Sequence, residues 1–352
     1  MQSKLITPNE DFLIPSPSFT SYIKGHDTLL HTVKNTFDHG HMPHAWMFCG
    51  PKGIGKASCA YHLARHILSN GDTDAQQQSH PIFRQVANKQ HPDLYVIEPT
   101  INDKTKLPQS QITVESVRNL SQFLSLSTTM SPYRVIIIDS IDIMNTNAAN
   151  ALLKAIEEPP KHTYFFLANH RPDLTLPTIA SRCISIPAKR LSFQETEAVI
   201  QQTITIPPEY SKMLSCYSFG CPGKAFELFG IDAWQLLTHF IDILCSTPNP
   251  NMHLVHPVID QLISAQSKYP WILANTLYLY YSCLARYTKY IHGILSENEL
   301  LDIELPLLKQ HYLAQQSSRL LTLVKQYGQY ASNPNLAHLD KRTILVNLFE
   351  AL

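Results

Sequence analysis

The stretch "FCGPKGIGKASCAY", Phe48 to Tyr61, decides how the chain is read. Gly50, Gly55 and Lys56 fit the phosphate-loop pattern G-x-x-x-x-G-K-[ST], and Gly53 adds a glycine inside the loop. In such a loop the backbone N–H groups and a helix N-terminus cradle phosphate oxygens. The lysine reaches the terminal phosphates, and the Ser/Thr hydroxyl binds magnesium. Here the hydroxyl position is Ala57, and the serine comes one residue late, at Ser58. One helical step turns a side chain by about 100°, so Ser58 does not replace the missing hydroxyl. The glycines and the lysine are kept, and a direct metal ligand is lost.

The flanks give this loop its context. "HAWMFCG" reads as a short buried strand, and a helix follows the loop over roughly Lys56 to Leu68. Strand, glycine loop, helix is the order a phosphate loop needs. Residues 26 to 39 read as a helix before it. "SNGDTDAQQQSH" reads as a polar loop, "DLYVIEP" as a strand, and "TVESVRNLSQFLSL" as a helix. "YRVIIID" has too few polar residues for a wet face, as in a parallel sheet covered on both sides. "NTNAANALLKAIEEPP" is a helix capped by Asn145 or Thr146 and stopped by Pro159-Pro160. "TYFFLAN" and "SRCISIP" complete the strands, the second read as buried.

Repeated βα units of this kind imply an α/β fold, a parallel sheet with helices on both faces. Beyond Lys189 the strand signals fade. Short helices around the turn "GCPG" fill 190 to 232, and long helical periodicity fills 233 to 352. The expected division is a nucleotide-fold domain at 1–189, a small helical domain at 190–232 and a helical domain at 233–352. In the final segment Ile344, Leu345, Leu348, Phe349 and Leu352 form one apolar face, with Asp340 as its cap.

Two further sites bear on chemistry. In "VIIIDSID", Asp139 ends an apolar strand, where an acid can hold magnesium through water. The next position, where a glutamate commonly activates the attacking water, is Ser140. Asp142 reads as a solvated turn residue. Two losses, metal ligand and base, fall on the same reaction and argue against hydrolysis. In Ser181-Arg182-Cys183 the arginine, taken by itself, reads as a surface charge.

Composition sets the bounds. The chain has 352 residues, 44% hydrophobic and 16% charged, enough for several cores. Lys+Arg and Asp+Glu are both 28, so no global basic field exists to hold DNA or a membrane. The opening residues lack the apolar core of a signal peptide, and no apolar run reaches membrane-spanning length. Seven scattered cysteines suggest reduced thiols, and the expected location is the cytoplasm.

"GHDTLLHTVKNTFDHGHMPHAWMFCGPKGIGK", "RVIIIDSIDIMNTNAANALLKAIEEPP", "TYFFLANHRPDLTLPTIASRC" and "SFGCPGKAFEL" together resemble the bacterial AAA+ clamp-loader subunits of DNA polymerase III, the delta-prime type foremost. "LLKAIEEPP" with the later "SRC" carries most of that resemblance, which spans roughly residues 20 to 230.

The resemblance implies a nucleotide-fold domain, a small helical lid and a helical collar that joins subunits into a ring. It implies a subunit that does not hydrolyse ATP and whose SRC arginine, here Arg182, reaches a neighbour's ATP site. Asn169 falls where the family has its first sensor, and Lys224 where motor subunits place a sensor arginine. The implied partners are gamma/tau-type and delta-type subunits, and through them the sliding clamp and primer-template DNA, with no membrane. Lys56 is present where many delta-prime subunits have lost it, so ATP or ADP binding without turnover stays open. ATPase-type subunits often carry four zinc cysteines after the first helix. Residues 69 to 92 have none, only His80 and His91, so no zinc is expected. Two rivals remain: an ATP-hydrolysing gamma/tau-type subunit, and a stand-alone nucleic-acid-binding AAA+ protein.

Overall fold

The computed structural model describes residues 14–99, 112, 114–247, 252–266, 269, 271–310, 314–332 and 341–350. It divides into two compact units. Among the described residues, one comprises 15–203 together with 219–223, and the other 204–218 and those from 224 on.

In the first unit, five described strands form one parallel sheet: β1 (Ala45–Cys49), β2 (Leu94–Ile97), β3 (Arg134–Asp139), β4 (Thr163–Asn169) and β5 (Ile184–Pro187), in the order β2-β3-β4-β1-β5. Alternation along the strands sends successive side chains to opposite faces. Trp46, Phe48, Val135, Ile137 and Phe166 enter one core with Leu63 and Ile67 of helix α2 (Lys56–Leu68). Met47, Ile136, Ile138, Phe165 and Leu167 enter the other, with Leu120 of α3 (Val114–Ser125) and Leu152 and Ile156 of α4 (Thr146–Glu157). Both faces are covered, which explains why these strands read as unbroken apolar runs. Asn145 is the cap of α4, its Oδ1 accepting from Ala148 N at 2.8 Å.

The strand expected to be buried at "SRCISIP" is an edge strand. β5 pairs with β1, and Ile184 is 48% exposed. The polar loop after α2 also contains unexpected order. Thr73–Gln76 is a short 3-10 helix, and Pro81–Ala87 is an α-helix with Pro at its first turn and His80 as its cap. His80 Nδ1 accepts from Ile82 N, and His91 Nδ1 accepts from Asp93 N. Both histidines of this stretch thus serve its backbone. Asp93, buried in turn, accepts from the N–H groups of Thr129, Met130 and Ser131 at 2.8 to 2.9 Å.

The second unit is helical. Its helices include Pro208–Ser218, Ala233–Cys245, Ile272–Ile291, Ser317–Ser332 and Lys341–Glu350. The aromatic run "TLYLYYSCLARYTKY" supplies core: Tyr280 stacks on Phe240 at 4.0 Å, with Phe349 edge-on at 6.0 Å. Buried Glu304 is bonded by Tyr217 Oη at 2.6 Å and by Arg286 Nε and Nη2 at 2.7 and 2.9 Å. A buried carboxylate is tolerated when its lone pairs are filled in this way. Ile344, Leu345, Leu348 and Phe349 of the last helix are buried. The expected cap Asp340 and the last apolar position Leu352 lie outside the described residues. Among the described residues no single helix is long and apolar enough to cross a membrane.

Candidate functional site

The strand order reverses at β1, which lies between β4 and β5. The crevice beyond the carboxyl ends of strands at such a point is where open α/β sheets bind ligands. The glycine loop leaves β1 there. Gly53 and Gly55 hold φ of 82° and 102°, a region that L side chains rarely adopt. Gly50 is needed for space, because a Cβ there would lie 2.3 Å from the Ala188 carbonyl oxygen.

The loop is tied down on several sides. Gly50 N donates to Asn169 O at 3.1 Å. His26 Nε2 lies 2.6 Å from Ile54 O. Gly223 N donates to Gly53 O at 2.8 Å, and a Cβ on Gly223 would lie 2.8 Å from Gly53 Cα. Lys56 Nζ donates to Gly50 O and Pro51 O, both at 2.6 Å. Burial pulls its pKa down to about 8, against the charges of Asp139 and Asp142. The lysine is therefore bound by the carbonyls of its own loop.

Asp139 ends β3 beside this loop. Burial raises its pKa, and the charge of Lys56 works in the opposite direction. His170, a residue the sequence reading passed over, lies with its Nε2 3.8 Å from Asp139 Oδ1. Burial, then the charge of Lys56, holds the His170 pKa down at about 4. Its Nδ1 is buried without a hydrogen-bond partner among the described residues. Asp142, expected as a solvated turn residue, instead accepts from His170 N at 2.9 Å. Asn169 ends β4, fully buried. Its Nδ2 donates to Thr175 Oγ1 at 2.7 Å, and its Oδ1 accepts from Arg171 N at 3.1 Å.

The arrangement fits a phosphate better than it fits magnesium. The glycine loop and the 13-residue helix α2 supply N–H donors. At the metal position Ala57 has no hydroxyl, and Ser58 Oγ reaches 3.5 Å toward Thr20 Oγ1. Ser140, where a base would stand, is a buried serine. Among the described residues no group of three His, Cys, Asp or Glu is placed to hold a metal ion.

Lys224 belongs to the helical unit. Its Nζ donates to Asn275 Oδ1 at 2.9 Å and to Glu227, and it lies 4.7 Å from the Tyr278 ring centre. Arg190, exposed after β5, donates to Phe219 O at 2.7 Å.

Arg182 stands elsewhere. It follows the short helix Pro177–Ala180 and precedes β5, at the amino edge of the sheet. The glycine loop is at the carboxyl edge, across the length of β1, five residues, or roughly 15 Å at the usual rise. Arg182 Nη1 donates to Thr178 O at 2.8 Å, and Nη2 lies 2.7 Å from Glu157 Oε1.

A parallel sheet of order β2-β3-β4-β1-β5, with a glycine loop at its switch point and an acid closing the third strand, defines a phosphate-loop unit of AAA+ type. Residues 25–192 match the family model described as "DNA polymerase III, delta subunit". The chain is 33% identical to DNA polymerase III subunit delta' of Pseudomonas aeruginosa over 192 residues, 53% of this chain and 56% of that one. It is 28% identical to DNA polymerase III subunit gamma of Buchnera aphidicola over 268 residues, 74% of this chain and 68% of that one. A DNA polymerase III gamma-subunit-related structure from Thermotoga maritima covers 91% of this chain and 97% of its own, at 15% identity and a TM-score of 0.47. That likeness is too loose to carry an argument. The chain spans little more than half the length of the delta' relative. Over its phosphate-loop region, the chain is similar to DNA polymerase III delta and delta' subunits.

Proposed function

We propose that this chain is a delta-prime-type subunit of a cytoplasmic DNA polymerase III clamp loader. In this reading it helps place the sliding clamp on primed DNA, does not hydrolyse ATP itself, and supplies Arg182 to the ATP site of a neighbour. Its partners are gamma/tau-type and delta-type subunits, and through them the clamp and primer-template DNA. Residues 190–232 are then the lid and 233–352 the collar.

The observation that carries the reading is the position of Arg182. An arginine at the amino edge of the sheet has the sheet between it and its own glycine loop, so a nucleotide it touches belongs to another chain. Guanidinium is always charged and donates in a fixed planar fork, which suits the equatorial oxygens of a transferring phosphoryl group. The loss of the loop hydroxyl at Ala57 and the serine at Ser140 support a subunit without turnover. The loop N–H groups and Lys56 would hold an ATP or ADP phosphate if one binds. A bound nucleotide there would supply a ligand for the fold and no reaction.

The test is a reconstituted loader containing Arg182→Ala, with clamp- and DNA-stimulated ATPase measured after ring assembly is checked. The neighbour's site should lose on the order of 10³-fold. Total ATPase should fall in part, because other sites keep their own arginines. Unchanged ATPase in an intact ring would reject the trans role. Turnover by the purified single chain, lost on Lys56→Ala, would favour a gamma/tau-type motor instead.

A further inference from the structure

We propose that Glu157 is a positioning residue for Arg182, holding the guanidinium ready for the neighbour's nucleotide. The inference rests on the reading of Arg182 just given.

Glu157 is the last residue of α4, with Glu158 as its C-cap. A carboxylate in a helix's last turn faces the negative end of the helix dipole, an unfavourable place for an acid. Here the acid is matched by a cation from a different element. Its Oε1 lies 2.7 Å from Arg182 Nη2, a charge-assisted bond between residues 25 positions apart in sequence.

On its other side Arg182 Nη1 donates to Thr178 O at 2.8 Å and lies 3.4 Å from Ser181 Oγ. Thr178 O is backbone of the short helix Pro177–Ala180, so its position is set by the fold. The guanidinium is thus gripped between the ends of two helices. Among the described residues these contacts engage three of its five N–H donors, leaving two for an incoming oxygen.

The side chains of Arg182 and Glu157 are 38% and 43% exposed. A pair so wet contributes little to folding. What it supplies is geometry. An arginine chain free to rotate must be ordered before it can meet a phosphoryl group, and an arginine held by two anchors is already ordered. The effect belongs to the transition state, so it should appear in kcat and leave KM for ATP unchanged.

The experiment compares reconstituted loaders carrying Glu157→Gln, Glu157→Ala, Arg182→Ala and the double variant Glu157→Gln/Arg182→Ala, each checked for ring assembly. The Arg182-dependent part of the ATPase is the difference between the wild-type ring and the Arg182→Ala ring. Glu157→Gln should lower that part by roughly three- to tenfold in kcat, with KM for ATP unchanged. Glu157→Ala should lower it at least as far. In the Arg182→Ala background Glu157→Gln should do nothing more. Arg182→Ala without effect would sink the trans reading, and this inference with it. Arg182→Ala effective with Glu157→Gln silent, activating, or equally harmful in both backgrounds would overturn the positioning role alone.

Discussion

The two ends of the sheet use their cations differently. At the carboxyl end Lys56 is 3% exposed, and its ammonium is bonded to Gly50 O and Pro51 O of its own loop. Further along, Gly53 O and Ile54 O are met by Gly223 N and His26 Nε2. At the amino end Arg182 is over a third exposed and anchored at its rim, with donors to spare. Burial obliges a charge to spend its hydrogen bonds within the protein, whereas exposure lets it keep some for a partner. The phosphate loop of this chain serves its own fold first, whereas the surface arginine keeps donors open to solvent, as the proposed action on another chain requires.

Arg65 tests the inward half of this contrast most severely. It lies on α2, the helix the glycine loop opens, and is fully buried. Nε donates to Gln76 Oε1 at 2.9 Å, Nη1 to Ser18 O at 3.0 Å and Nη2 to Thr20 O at 2.7 Å, with the Phe83 ring 4.5 Å away. Burial lowers its pKa to about 10, still charged at neutral pH. Arg65→Met would leave those oxygens without their donor. The expected loss of stability is about 2–4 kcal/mol, read from urea unfolding of the isolated chain. A loss below about 1 kcal/mol would mean that the segment from Ser18 to Thr20 is held by other means.

Lys56 sharpens the contrast through pH. Its folded pKa, about 8, lies below the ordinary 10.5. Between those values the unfolded chain binds more protons than the folded one, so stability rises with pH across that window. Below pH 8 the cost of burying the ammonium is present in full, and above 10.5 it is gone. Lys56→Met should remove this rise. Unfolding free energies of the two proteins, measured between pH 7.5 and about 10.5, should therefore differ in slope. Parallel curves would show an ammonium that is better solvated than its burial indicates.

How far the sequence discloses all this depends on the kind of contact. β1, β3 and β4 are legible because a strand buried on both faces must be apolar throughout. The glycine loop is legible because its torsions and close approaches exclude side chains. β5 misleads, since "CISIP" has the same apolar look while lying at an edge; the run records propensity and not what covers it. The helix Pro81–Ala87 carried a readable signal, a histidine cap followed by Pro at the first turn, in a stretch whose polarity suggested a loop. His170 beside Asp139 and Glu157 against Arg182 carry no local signal. Each pair joins residues whose spacing follows from strand order, and strand order is not written in any short stretch. Arg182 itself reads as an ordinary surface charge until the resemblance gives it a role.

The smallest expected effect separates the two ends most cleanly. Arg182→Ala removes an ion pair whose partners are both more than a third exposed, and it opens no cavity in the core. Screening and side-chain entropy leave such pairs worth about 0–1 kcal/mol. The acid left behind, Glu157, then faces its helix dipole without a partner, at a further cost of a few tenths of a kcal/mol. Thermal and urea unfolding of the isolated chain should therefore shift by less than about 1 kcal/mol, and the variant should enter the ring at normal stoichiometry. The same variant should lower the ring's ATPase. A protein nearly unchanged alone but deficient in company is what an outward-facing cation predicts. If instead Arg182→Ala destabilised the chain by about 2–3 kcal/mol, the arginine would be holding two helix ends together. Its effect on the ring would then be an effect on folding, and the two ends of the sheet would spend their cations alike.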